Sequence, residues 1–185
     1  MLDKDKLGDV RARALIAVAY SILARRAELV GLQVEDVTFS ENGDGSVTLQ
    51  TKGGGQAGRY LAPEARQALE LWLDRASIYS GAVFRRLEKN DIIGTRAIST
   101  EEVARTFKRI AGLINLDSSR PTSRISGHST RIGAAQDLTV GVAALPEIMI
   151  AGGWKSPQMP THYARKLDVQ QGAMRRWTDS ARKRD

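Results

Sequence analysis

A chain of 185 residues with 42% apolar side chains is long enough to bury a core of its own. Its 28 lysines and arginines outnumber 21 acids, for a net charge of +7, which points to a polyanionic partner because phosphates neutralised by basic side chains release condensed counterions. With no cysteine and two histidines, the sequence excludes a disulfide framework, a thiolate metal site and a histidine-rich metal cluster.

The positive charge is unevenly spread. Residues 105 to 131 hold six basic side chains against one acid, Asp117, whereas residues 1 to 48 hold six against eight. No run of about 18 uncharged apolar residues is present to span a membrane, and the start, Met1 to Lys6, lacks the apolar stretch of a signal peptide. The expectation is a soluble, intracellular protein without a membrane partner.

Leu15, Ile16, Val18, Ala19, Ile22 and Leu23 recur at helical spacing and predict one amphipathic helix from about Val10 to near Gly31, with Arg25 close to its C-terminal end. Val37 and Phe39, then Val47 and Leu49, alternate with polar neighbours on either side of Asn42-Gly43-Asp44-Gly45, the pattern of a hairpin. A second turn at Gly53-Gly54-Gly55 leads to a strand around Arg59-Tyr60-Leu61, which leaves Lys52 at a strand end. Pro63 opens a helix with Ala68, Leu69, Leu71, Trp72 and Leu73 on its apolar side. Ser99 or Thr100 caps another, with Glu102 placed for a capping interaction and Val103, Phe107, Ile110 and Leu113 as the buried stripe. Asp117 to Gly127 reads as a loop. Short helices follow at His128 to Leu138, Pro146 to Ala151, near Tyr163, and from Asp168 towards Lys183. The fold class expected is α+β, mainly α-helical with a small antiparallel sheet.

Taken singly, the candidate functional residues have ordinary readings. Arg25 and Glu28 match an i, i+3 surface ion pair, His128 a polar cap, Trp154 a core anchor, Tyr163 a half-buried tyrosine, and Lys52 a solvated hairpin lysine. Their joint order is not ordinary. Arg-x-x-Glu follows an apolar helix, a lysine sits at a hairpin, Gly127-His128-Ser129-Thr130-Arg131 supplies His-x-x-Arg, and Gly152-Gly153-Trp154 precedes Tyr163 by nine residues.

In that order the chain resembles the tyrosine recombinase (phage integrase) family from about Leu15 to Trp177. The resemblance implies the tyrosine recombinase/type IB topoisomerase-like catalytic fold. It implies that Tyr163 is the nucleophile forming a 3′-phosphotyrosyl bond, and that Arg25, His128, Arg131 and Trp154 surround the scissile phosphate. Lys52 would protonate the leaving 5′-oxygen, and Glu28 would support the site. A covalent phosphotyrosine keeps the phosphodiester energy across two transesterifications, and fixed guanidiniums meet the charge that grows on the non-bridging oxygens. No cofactor or metal is expected.

The partner implied is double-stranded DNA, bound by a monomer that assembles into a homo-oligomer, a tetramer, on paired sites. Arg86 and Lys89 correspond to a basic segment of the family and are read, with Arg120 and Arg124, as DNA contacts. Residues 1–185 are expected to form one catalytic domain without the family's N-terminal core-binding domain, and 168–185 a helix exchanged between protomers. The activity expected is site-specific recombination or integration. The alternatives are topoisomerase-like relaxation alone, or a DNA-binding module that does not cut.

Overall fold

Helix α1 (Leu7–Ser21) buries Val10, Ala14, Leu15, Val18 and Ala19 on one side. The structure, a computed structural model, describes residues 2–3, 6–50, 54–88, 91–113, 125–141, 143–165, 167, 172 and 174. The single long helix predicted to Gly31 is two: α1 ends at Ser21, and α2 (Arg26–Gly31) begins after a sharp turn. In that turn the N–H of Leu23 donates to the Tyr20 carbonyl (3.2 Å) and that of Ala24 to the Ala19 carbonyl (3.0 Å), the paired bonds of a Schellman closure. Leu23 takes a φ of +49°, a left-handed conformation that costs a side chain about 1–2 kcal/mol. Its side chain is buried, which offsets that cost. Arg25 is therefore the N-cap of α2 rather than a residue near a helix end.

A 3-10 turn at Val34–Asp36 leads into β1 (Val37–Phe39), β2 (Gly45–Gln50) and β3 (Gln56–Leu61), an antiparallel sheet in that order. Val37 pairs with Val47, and Val47 with Arg59. The β1–β2 turn needs Gly43, at φ +93°. Helix α3 (Pro63–Arg75) follows. Its Arg66 donates to the carbonyls of Ser40 and Asp44 and lies over the Phe39 ring, 5.0 Å from the centroid, so α3 clamps the hairpin turn. Trp72 is fully buried and gives its indole N–H to the Val83 carbonyl at 2.8 Å, whereas Leu71, expected on the apolar side, is exposed.

A second hairpin, β4 (Arg85–Leu87) with β5 (Ile93–Ala97), precedes α4 (Thr100–Leu113). Ser99 caps α4 through the Glu102 N–H at 3.2 Å. The Glu102 carboxylate does not complete a capping box; it pairs with buried Arg11 at 2.7 Å, and Arg11 also holds the Arg85 carbonyl at 2.7 Å. An ion pair and a backbone bond thus tie α1 to both α4 and β4. Leu15, Leu29, Val47, Leu69, Phe84 and Phe107 share the resulting core.

The chain divides into two compact units, Met1–Arg131 and Ile132–Asp185. Helix α5 (Ser129–Val140) begins in the first and its remaining residues belong to the second, which also holds α6 (Leu145–Gly152) and α7 (Gln158–Ala164). The chain has the mainly helical α+β architecture with small antiparallel sheets that the sequence led us to expect. Most of the expected 117–127 loop and of the expected helix from Asp168 lies outside the described residues, as do Lys52, Lys89, Arg120 and Arg124. Among the described residues no helix is long and apolar enough to cross a membrane.

Candidate active site

The first unit gathers Arg25, Glu28, His128 and Arg131. Glu28, at the third position of α2, accepts the Arg25 backbone N–H on Oε2 and the Arg25 guanidinium on Oε1, both at 2.6 Å. The Arg-x-x-Glu spacing thus caps a helix and fixes a guanidinium with the same carboxylate. Arg131 is 2% exposed, and its guanidinium donates to the carbonyl of Leu23, the residue of the left-handed turn just before Arg25. One arginine therefore anchors the backbone that presents the other.

Gly127 has a steric reason. A Cβ there would lie 1.8 Å from Cδ of Arg26, so the missing side chain lets the Arg26 stem pass. Ser126 and Ser129 then brace the start of α5: the Ser126 N–H donates to Ser129 Oγ at 2.9 Å and the His128 N–H to Ser126 Oγ at 3.2 Å.

Burial holds the His128 imidazole below its usual pKa, helped by the positive charges of Arg26, Arg131 and Arg25, with Glu28 opposing. The imidazole is thus neutral at pH 7 and able to take a proton. Its folded pKa lies below the unfolded value of about 6.5, so the unfolded chain binds the proton first as pH falls. Stability should therefore drop below about pH 6.5, and not above it, as pH falls towards the folded pKa. Urea midpoints at pH 5 and 7.5 check this: His128→Gln should lose less stability between the two than the parent chain, and an equal loss would contradict the sign.

Two arginines escaped the reading of the sequence. Arg26 acts on His128 and also on Glu101. Arg59, on β3, is buried at 9% exposure; burial lowers its pKa, Glu28 raises it, and Arg25 lowers it again. The alternation along β3, with Arg59 and Leu61 inward and Gly58 and Tyr60 outward, is the signal that could have found Arg59. Arg86 is exposed on β4, as a contact to a large partner requires.

The second unit holds Trp154 and Tyr163. Gly153, at φ +63°, closes α6: its N–H donates to the Ile150 carbonyl at 3.1 Å and the Trp154 N–H to the Met149 carbonyl at 2.9 Å. Gly152 clears space for the indole, since a Cβ there would sit 1.9 Å from Cζ3 of Trp154. The indole meets the Tyr163 ring edge-on, 6.2 Å between centroids at 66°, and His162 does likewise at 6.1 Å and 63°. Gln136 on α5 donates to the Tyr163 carbonyl at 3.1 Å. Tyr163 is 7% exposed, so packing from both neighbours restricts its ring. The Gly-Gly-Trp motif is thus a device for seating an indole against Tyr163.

Gly152→Ala should displace the indole and destabilise the chain by about 1–3 kcal/mol, the usual cost of overpacking. The indole N–H resonance of Trp154 and the melting temperature report it. An unmoved resonance at unchanged stability would show that the clash is absorbed elsewhere.

The mainly helical α+β scaffold with small antiparallel sheets is that of a tyrosine recombinase catalytic domain. A family model, the phage integrase family, matches residues 1–170. Recombinase cre of Escherichia phage P1 is 30% identical over 189 residues, covering 94% of this chain and 54% of its own. An integrase/recombinase xerD homolog of Selenomonas ruminantium is 34% identical over 144 residues, covering 73% and 41%. Among solved structures, XerA recombinase has a TM-score of 0.73 at 15% identity, over 97% of this chain and 61% of that one. XerH site-specific recombinase bound to palindromic difH substrate has a TM-score of 0.69 at 22% identity, over 95% and 46%. The chain belongs to the phage integrase family, and it spans about half the length of the curated relatives it matches.

Proposed function

We propose that this chain cuts and rejoins double-stranded DNA as a site-specific recombinase or integrase, through a 3′-phosphotyrosyl intermediate on Tyr163. The observation that carries the reading is the arginine cluster of the first unit: Glu28 holds the Arg25 guanidinium at 2.6 Å, buried Arg131 donates to the Leu23 carbonyl in the turn that presents Arg25, and both act with Arg26 on His128. Such an excess of fixed donors suits a phosphodiester whose non-bridging oxygens gain charge as phosphorus becomes five-coordinate.

Arg25 and Arg131 bind those oxygens, and neutral His128 takes up the proton of the attacking phenol or bonds to the phosphate. Lys52 protonates the 5′-oxygen as it leaves, Trp154 holds the nucleophile's ring, and Glu28 orients Arg25. The bond from phosphorus to the 5′-oxygen breaks as the bond to the tyrosyl oxygen forms, and the reverse step with a new 5′-hydroxyl releases the enzyme. Arg86, Lys89, Arg120 and Arg124 contact the DNA backbone. The named relatives are recombinases and integrases, which supports strand exchange as the outcome.

A pool of nicked duplexes with randomised sequence, in which the cut end diffuses away, tests this directly. Covalent complexes that resist denaturant should accumulate and enrich one sequence; binding without any covalent product would leave a DNA-binding module.

Binding is by a monomer in the cytoplasm, on nucleoid DNA, and four protomers assemble on paired sites by exchanging the 168–185 segment. Val169, Ala173, Met174 and Trp177 give that segment an apolar stripe at helical spacing, and Met174 is 73% exposed. Truncation after Leu167 should spare binding to a single site but abolish assembly on paired sites in native gels. Assembly by the truncated chain would remove the segment from this role.

A further inference from the structure

Arg59 carries a charge that its position does not require. It lies on the inward side of β3, opposite fully buried Val47 and in phase with fully buried Leu61, where an aliphatic side chain would pack without penalty. A buried guanidinium is instead unfavourable unless its donors are paired. Yet Nη1 donates to the adjacent Gly58 carbonyl at 3.1 Å, and Nε is buried with no acceptor among the described residues.

Glu28 lines one cleft with Thr48 and Leu49 of β2, the strand whose Val47 pairs with Arg59; its charge favours the Arg59 guanidinium, and Arg25 donates to both of its oxygens. Among the described residues Arg25 is the guanidinium that pairs with this carboxylate, and its side chain is 45% exposed, open to a ligand arriving from solvent. We propose that Arg59 is a positioning residue that takes over the Oε1 atom of Glu28 when the Arg25 guanidinium leaves it for a DNA phosphate.

The exchange leaves Glu28 as fully hydrogen-bonded as before. The bond from Arg25 Nη1 to Glu28 Oε1 breaks, one from Arg59 Nε to Glu28 Oε1 forms, and Arg25 gains the phosphate. The bond from the Arg25 backbone N–H to Oε2 is untouched, so α2 keeps its cap while the Arg25 side chain moves. Without Arg59, releasing Arg25 would leave a largely buried carboxylate oxygen unpaired, at the cost of a lost charge-assisted bond. The inference rests on the proposed function, because it needs a phosphate for Arg25 to bind.

Arginine Nε–H groups are visible by nitrogen-15 NMR, and the full chain can be titrated with a short random-sequence duplex at low salt. The Arg59 Nε–H signal should move downfield and exchange more slowly with solvent as DNA binds. In Glu28→Gln it should stay in place while backbone amides still report binding. A stationary Arg59 signal in the parent chain during binding would overturn the proposal, and so would one that moves equally in Glu28→Gln, since DNA itself would then be the acceptor. If no amide responds to DNA, the function fails first and the inference falls with it.

On a cleavable duplex, Arg59→Met should slow single-turnover cleavage by about tenfold, a size ordinary for residues in one hydrogen-bond network. It should add nothing further in the Glu28→Gln background, and Arg59→Lys should recover part of the rate. Independent, multiplicative losses would show that Arg59 does not act through Glu28.

Discussion

Arg131→Ala is expected to lose cleavage and stability together. Its guanidinium is almost fully buried and donates to the Leu23 carbonyl in a left-handed turn. Removing that donor exposes a buried carbonyl to the full cost of an unmade bond, about 1–3 kcal/mol. The turn it steadies is the one that presents Arg25, so the two arginines are not independent. Losing one preformed donor to a growing oxyanion typically costs about 10²–10³ in rate, and the disturbed turn adds to that. Arg131→Lys separates the two effects: it keeps the charge and a compact ammonium donor but not the planar fork. It should melt closer to the parent chain than the alanine variant and still cleave at least about a hundredfold more slowly. Cleavage by the lysine variant at the parent rate would reduce Arg131 to a structural residue.

Tyr163→Phe is expected to remove covalent chemistry entirely while leaving the second unit packed as before. The substitution deletes one hydroxyl and keeps the ring that meets Trp154 and His162 edge-on, so the melting temperature should barely move. DNA affinity should also hold, because the phosphate contacts come from arginines and lysines. A covalent complex formed by this variant would transfer the nucleophile to another side chain.

The legibility of the chain in its sequence varied with the physical signal. The β1–β2 hairpin was readable because turn residues flank a clean alternation, and α3 because proline opens an apolar stripe. The break between α1 and α2 was not, since the stop is a Schellman turn carrying leucine where glycine ordinarily announces it. The β4–β5 hairpin was missed because Arg85-Arg86-Leu87 and Ile93-Gly94-Thr95-Arg96-Ala97 lack strict alternation. Glu102 was read as a cap from spacing alone, and its distant partner Arg11 took the carboxylate instead.

For the site, the order of motifs located Arg25, Glu28, His128, Arg131, Trp154 and Tyr163, but spacing could not say what holds each one. The carbonyl that pins Arg131, the space that Gly152 opens for Trp154 and the charge of Arg59 beside Glu28 are tertiary facts. Arg59 was hidden for a further reason: it sits on an inward strand position, where the alternation rule leads one to expect an apolar residue.

Mapping the covalent bond decides whether Tyr163 is the nucleophile. After reaction with an enriched duplex and removal of all but the attached nucleotides, trypsin should release Ser156 to Arg165, a peptide whose single tyrosine is Tyr163. This peptide should carry the added nucleotide mass through a linkage to the tyrosyl oxygen, with the 3′ end of the cut strand as the attached end. A nucleotide on a peptide holding Tyr20, Tyr60 or Tyr79, or attachment through a 5′ phosphate, would contradict it.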